Sequence, residues 1–196
     1  LSLGHPGGLT AATVLVVISA RMGLAIRRTR TAQNAFRLES WIGRHRQLGD
    51  HRLVVVDTPE PIAIAAKDQI VVSASLEEAL DSEQLDMLLR HELAHVEGKH
   101  HRHLTAAAAL DSGFGWLRPI RISLAAFRFG LERWADEEAA GSDPRNREAL
   151  STALSTVATA RVAPGLAGFA DADGIMWFGA ATSVLVSLTA WGPCMA

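Results

Sequence analysis

One five-residue motif, His91-Glu-Leu-Ala-His95, constrains this chain more than any other feature. It lies in a segment that begins at Asp81-Ser82 and has apolar residues at helical spacing. Because an α-helix turns once every 3.6 residues, side chains four positions apart share a face, so both imidazoles can reach one metal ion. Glu92 adjoins the first histidine and is placed to take a proton from a water beside that ion. The motif predicts a zinc site with ligands His91 and His95 and Glu92 as general base.

A catalytic zinc site takes three protein ligands and leaves the fourth position to water. Three histidines follow the motif closely, but at the expected end of the helix they favour a solvated basic cluster: His100, His101 and His103. Zinc ligation by one of them stays open as the alternative.

A better source of the third ligand is the acidic run that begins at Glu132. We predict a helix from about residue 120 to 140, in which Glu132 and Asp136 share one face. One carboxylate can then bind zinc while the other orients a ligand histidine. Glu132 is preferred as the ligand because a glutamate reaches further than an aspartate. Glu137 lies about 100° further round than Asp136, and with Glu138 it is typical of a solvated face.

Charge and cysteine content exclude several other classes of function. The 196 residues carry a net charge of −2, which gives no electrostatic support for nucleic-acid binding. Cys194 is the only cysteine, so an internal disulfide and a cysteine-rich zinc site are excluded, and a reducing compartment fits. The first residue is Leu rather than Met, which indicates a piece of a longer chain.

Both ends of the sequence are apolar and uncharged. Residues 9–26 are interrupted only by Arg21, and residues 175–191 carry a Trp near each end. Each is about as long as a bilayer-spanning helix, so we expect two transmembrane helices. The arginine-rich stretch after residue 26 indicates a cytoplasmic flank. Buried core helices remain the alternative for both segments, and a signal peptide for the first.

Three short β-branched or apolar runs lie between the arginine-rich stretch and the histidine motif, at residues 52–57, 62–66 and 69–73. Prolines and turn residues separate them, which predicts a small antiparallel sheet. We expect the third run, with Ile70, Val71 and Val72, to be an exposed edge strand that binds an extended peptide by strand addition.

The sequence from residue 61 to 96, followed by Glu132-Arg-Trp-Ala-Asp136, resembles the BlaR/MecR antirepressor peptidases, a family of integral-membrane gluzincins related to the HtpX and CAAX-prenyl proteases. The resemblance spans about residues 54–140. It implies an α+β, zincin-like fold, mainly helical, with one catalytic Zn²⁺ held by His91, His95 and Glu132. It also implies Glu92 as base, Asp136 as the partner of a ligand histidine, and a site facing the cytoplasm beside the membrane.

The expected organisation has five parts: a transmembrane helix over residues 1–26, a basic cytoplasmic linker or helix over 27–51, a zinc metallopeptidase domain over 52–163, a linker over 164–174 and a transmembrane helix over 175–192. The expected function is a membrane-anchored endopeptidase acting on a protein or peptide, such as a repressor. β-Lactam sensing is not supported, because no sensor-sized segment follows the peptidase. The alternatives are an HtpX-like quality-control protease and a zinc-binding regulator without turnover.

Overall fold

The computed structural model describes residues 6–39 and 43–162, which form six helices and four strands. The helices are α1 (Pro6–Glu39), α2 (Ala74–Ala79), α3 (Ser82–Glu97), α4 (His100–Phe114), α5 (Arg118–Ala140) and α6 (Pro144–Val162). The strands are β1 (Arg44–Leu48), β2 (His51–Val56), β3 (Ala63–Ala66) and β4 (Gln69–Ser73). The α+β class with mainly helical content is therefore confirmed.

The four strands form one sheet in the order β1-β2-β4-β3. Strand β1 pairs antiparallel with β2, and β3 pairs antiparallel with β4. Strands β2 and β4 run parallel, with Val54 opposite Val71. The sheet is thus mixed, and the expectation of a wholly antiparallel sheet is wrong at this pair. In sequence β3 lies between β2 and β4, but in the sheet it lies beyond β4, at the edge. The chain therefore passes from β2 to the edge strand β3 and then returns through β4, which runs parallel to β2.

Strand β4 is an interior strand, so the prediction that Ile70, Val71 and Val72 form an exposed edge is wrong. All five residues of β4 are buried, and the strand has a hydrogen-bonded neighbour on each side. The physical reason is visible in the sequence, because consecutive apolar residues suit a strand that is covered on both faces. The free edge nearest to α3 belongs instead to β3, which packs against that helix.

The segment at residues 27–51, expected to be a linker or helix, contains both a helix end and a strand. Helix α1 continues to Glu39, and the basic residues that follow form β1. Arg44 and Arg46 lie on this strand and form ion pairs with Glu77 at 3.5 and 2.9 Å. Strand β1 was not predicted, because its sequence RHRQL lacks β-branched residues.

The main core lies between the sheet and the helices α3 and α6. Ile70 and Val72 from the sheet are buried in one cluster with Leu88 of α3 and Ala153 and Val157 of α6. Helix α6, which the sequence analysis left unassigned, begins where Asp143 accepts a hydrogen bond from the backbone N–H of Arg145 at 2.9 Å. The helix that bears the histidine motif is therefore held between a sheet and a second helix.

Helix α1 is the one helix among the described residues that is long and apolar enough to cross a membrane, over residues Gly7–Asn34. Only 6% of its most apolar window is buried, so it is not a core helix in this fold. Its later part packs along α4, where Arg21 Nε donates to the carbonyl of Ser112 at 2.8 Å. The second apolar segment, residues 175–192, and the linker before it lie outside the described residues.

Candidate metal centre

Helix α3 begins after Asp81, as predicted, and the structure shows a full capping box there. The Asp81 carboxylate accepts from the backbone N–H of Gln84 at 2.8 Å, and the Gln84 side chain accepts from the backbone N–H of Asp81 at 3.2 Å. Met87, Leu88 and Ala94 bury one stripe of the helix. His91 is buried on the same helix, His95 is half-buried one turn later, and both imidazoles point toward α5.

Helix α5 supplies the carboxylates. It covers residues 118–140, in agreement with the predicted helix, and ends at Gly141, whose φ of +58° favours glycine. Ala135 and Ala139 are buried against the neighbouring helices, so small side chains allow α5 to approach α3 closely. This approach brings Glu132 to the two histidines of the motif.

The ligand atoms of His91, His95 and Glu132 form a compact triangle that can hold a metal ion. The two Nε2 atoms are 3.1 Å apart, and Glu132 Oε2 lies 3.7 Å from His91 Nε2 and 3.5 Å from His95 Nε2. Tetrahedral zinc with bonds of about 2.0–2.1 Å requires ligand atoms about 3.3 Å apart. The triangle therefore has the size that a tetrahedral zinc ion needs, and its donor set of two imidazoles and a carboxylate suits that ion.

Charge within the triangle reinforces this fit. Burial alone would raise the pKa of the Glu132 carboxyl, but the neighbouring imidazoles of His95, His91 and His100 lower that pKa below its usual value. The carboxylate is thus held in the ionised form that binds a metal. Glu138, by contrast, is exposed on the outer side of α5, and Glu137 is occupied in an ion pair with Arg133 at 2.9 Å.

Asp136 lies one turn after Glu132 and contacts His91. Its Oδ1 is 3.0 Å from His91 Nδ1, which is an ion-pair distance, and neither atom has a hydrogen-bond partner of good geometry among the described residues. Burial would lower the pKa of His91, but Asp136, Glu92 and Glu132 together raise it above its usual value. A carboxylate at Nδ1 favours the tautomer whose Nε2 lone pair faces the metal position. The structure thus places Asp136 where the sequence analysis placed it.

His100 is a buried member of the site, and the prediction that it is solvated is wrong. It was expected to be solvated, yet it is only 1% exposed. Its Nδ1 lies 2.6 Å from Nδ1 of His95, and the indole of Trp134 packs against its ring with centroids 4.7 Å apart. Burial and the neighbouring His95 lower the pKa of His100 to about 4, so the ring is neutral at neutral pH. His103 is exposed and His101 half-buried.

His100 is buried because α3 ends just before it and a new helix, α4, begins at this residue. Gly98 caps α3, and Lys99 adopts a left-handed conformation with φ of +52°. The chain therefore turns back, and His100 opens a new helix beside His95. A Cβ atom on Gly98 would come within 2.2 Å of the Trp134 ring, so the turn requires glycine. Gly98 was the sequence signal for this turn.

Glu92 follows His91 on α3 and is half-buried. Its negative charge helps to raise the pKa of the adjacent His91. Two histidines four residues apart, the adjacent glutamate and a carboxylate from a second helix are the residue types that the zinc site of a metallopeptidase uses.

The chain belongs to Peptidase family M48, whose sequence model matches residues 29–163. It is therefore a member of a metallopeptidase family, and the match includes β1, the whole sheet and both helices of the candidate metal centre. No curated protein and no solved structure gives a significant match to this chain.

Proposed function

We propose that the chain is a membrane-anchored zinc endopeptidase that hydrolyses a peptide bond in a protein or peptide. The observation that carries the proposal is the triangle of His91, His95 and Glu132, whose edges of 3.1–3.7 Å suit tetrahedral zinc. When bound, zinc supplies a Lewis acid that makes a water molecule more acidic and polarises a carbonyl group. Glu92 is the residue that would accept a proton from this water and donate it to the leaving amine.

The remaining residues position this machinery. Asp136 orients His91 through Nδ1, and His100 contacts the corresponding atom of His95. Both ligand rings are thereby held with Nε2 toward Glu132. The intact Glu92 favours turnover over a purely regulatory zinc site, since metal binding alone does not need a carboxylate there.

We propose that β3 holds the substrate, replacing the role first assigned to β4. Strand β3 is at the edge of the sheet and packs against α3, the helix of the histidine motif. An extended peptide added to this edge would run beside α3, with main-chain hydrogen bonds to β3. Its carbonyl groups would then pass near the metal position.

Two substrate classes fit such a site. The resemblance to BlaR/MecR peptidases supports a repressor as substrate, while the relation to HtpX supports damaged membrane proteins. The match to Peptidase family M48 is compatible with either role. The more specific proposal is that the chain acts as a transcriptional antirepressor.

Removal of the metal tests the proposed function. The full chain, purified in detergent, should contain about one zinc per chain and should cleave casein or itself. A chelator such as 1,10-phenanthroline should abolish cleavage, and added zinc should restore it, because the three ligands act only through the ion. Zinc content is measured by atomic absorption and cleavage by gel electrophoresis. Full cleavage by a protein without zinc would contradict the proposal.

We further propose that α1 spans the membrane and that the peptidase domain faces the cytoplasm. The support is the apolar, exposed helix together with the arginines that follow its uncharged part, Arg21, Arg27, Arg28 and Arg30. The membrane potential and anionic lipids retain such a cluster on the cytoplasmic side.

A fluorescent reporter fused after Glu39 should therefore be active in the cytoplasm, and alkaline phosphatase at the same point should be inactive. Replacing Arg27, Arg28 and Arg30 together by Glu should weaken or reverse this preference. Phosphatase activity after the unchanged α1 would contradict the orientation.

A further inference from the structure

The first half of α1 extends beyond the rest of the described fold. Helix α1 runs antiparallel to α4, with Ile18 and Met22 beside Gly113 and Gln33 donating to Thr105. Because α4 ends at Phe114, residues 7–17 project past it by about 16 Å at 1.5 Å per residue. All of these projecting residues are exposed. The end of α4 is therefore the level at which α1 leaves the peptidase domain and, under the proposed anchoring, enters the bilayer.

The turn between α4 and α5 lies at this same level and is apolar. Trp116 is 76% exposed in it. In the first half of α5, Leu124 faces the protein, whereas Ile122, Ala126 and Phe129 share the opposite face and are exposed. A helix on the surface of a soluble domain has polar residues on that outer face. Here the outer face is apolar, so it is suited to an apolar environment.

The charge of this region is positive. Residues 115–131 contain three arginines and no acidic residue. Arg128 pairs with Asp111 at 3.5 Å, whereas Arg118 and Arg121 are exposed and form no ion pair within the described part of the chain. Helices that lie in the headgroup region of a bilayer typically combine tryptophan, arginine and exposed aliphatic side chains. The α4–α5 turn and the first half of α5 have this combination.

Two hydrogen bonds join the last turn of α4, directly before the α4–α5 turn, to α1. Arg21 Nε donates to the carbonyl of Ser112 at 2.8 Å, and Ser112 Oγ donates to the carbonyl of Arg21 at 3.2 Å. Arg21 is also the first charged residue after the uncharged part of α1. The turn is thus held at the boundary between the apolar and the charged part of the helix.

We propose that the α4–α5 turn and the outer face of α5 dock on the surface of an anionic bilayer, beside the point where α1 enters it. The Trp116 surface, comprising Trp116, Arg118, Arg121, Ile122 and Phe129, makes this contact. The inference rests on the proposed anchoring by α1. It adds that the bilayer is a second support for α5, the helix that supplies Glu132 less than one turn after Phe129.

Site-directed fluorescence tests the proposal on the full chain in lipid vesicles. In a Cys194→Ser background, a single cysteine is introduced by Trp116→Cys and labelled with an environment-sensitive dye. Val16→Cys, on the projecting part of α1, is the membrane reference, and Glu148→Cys, exposed on α6, is the aqueous reference. The vesicles contain phosphatidylcholine with or without phosphatidylglycerol and carry a quencher attached to the lipid near the headgroup.

In vesicles with phosphatidylglycerol, the label at position 116 should lose most of its fluorescence to the lipid quencher and little to aqueous iodide. The label at position 148 should show the reverse. Arg118→Glu with Arg121→Glu should reduce lipid quenching at position 116, because each arginine is attracted to the anionic surface. The same reversal at Arg145 and Arg147 should leave it unchanged.

Three results would overturn the proposal. If position 16 is quenched by lipid and position 116 behaves like position 148, the docking inference fails while the anchoring stands. If position 16 is not quenched by lipid, the anchoring fails and the docking with it. If the label at position 116 becomes accessible to iodide when the protein is diluted in the lipid, the Trp116 surface is covered by a second copy of the chain and not by the bilayer.

Discussion

Glu92→Gln is expected to abolish peptide hydrolysis while the protein keeps its zinc. Glutamine has the shape of glutamate but cannot accept the proton of the attacking water, whereas the triangle of His91, His95 and Glu132 remains complete. General-base catalysis contributes about 10²–10⁴-fold to such reactions, and kcat should fall by a factor of this order. Cleavage of casein is the activity measurement, and the zinc content of the same sample shows whether the metal site is intact.

The matched control for this variant is Glu83→Gln, the same substitution on the same helix. Glu83 is exposed in the first turn of α3, two turns before His91, so activity and zinc content should both stay near the values of the parent protein. Substantial hydrolysis by Glu92→Gln would assign the base to another group. Loss of zinc from this variant would instead mean that Glu92 supports the metal site, and the catalytic assignment would lose its basis.

Glu132→Ala is expected to remove the third zinc ligand. Glu132 Oε2 lies 3.7 and 3.5 Å from the two Nε2 atoms, and no other carboxylate is placed to replace it in the described part of the chain. With two histidines alone, half of the tetrahedral ligands of the ion come from water. Zinc affinity should therefore fall by more than the roughly 10–100-fold loss expected for Asp136→Asn. Because metal binding is linked to folding, the thermal midpoint of the zinc-loaded protein should fall as well.

Asp136→Asn provides the comparison within the same helix. Asp136 contacts His91 Nδ1 and not the metal position, so its loss should weaken zinc binding by about 10–100-fold without abolishing it. Glu138→Ala, exposed on α5, should leave zinc affinity unchanged. Competition with a chromogenic chelator measures all three affinities. If Glu132→Ala binds zinc as tightly as the parent, or if Asp136→Asn has the larger effect, the roles of the two carboxylates are wrongly assigned.

The elements that the sequence predicted well are those whose signals are local. The histidine motif and its capping residue lie within one helix, so the spacing of His91 and His95 already places both rings on one face. The same argument relates Glu132 to Asp136 on α5. Pairing the two helices required chemistry in addition to spacing. Two imidazoles leave a catalytic zinc ion one protein ligand short, and the acidic run that begins at Glu132 was the preferred source of the third, with the histidines at 100–103 as the alternative.

Tertiary structure decided which strand lies at the edge of the sheet and what covers each histidine. Strand order depends on long-range pairing. The consecutive apolar residues Ile70–Val72 suit a strand covered on both faces, but they do not specify its neighbours. Strand β4 became interior because β2 and β3 pair with its two sides. His100 is exposed or buried according to whether the chain continues or turns at Gly98, and Trp134, which covers it, comes from a different helix. Local spacing therefore determined α3, α5 and the candidate metal-ligating side chains on them, while the environment of each residue followed from contacts between segments far apart in the chain.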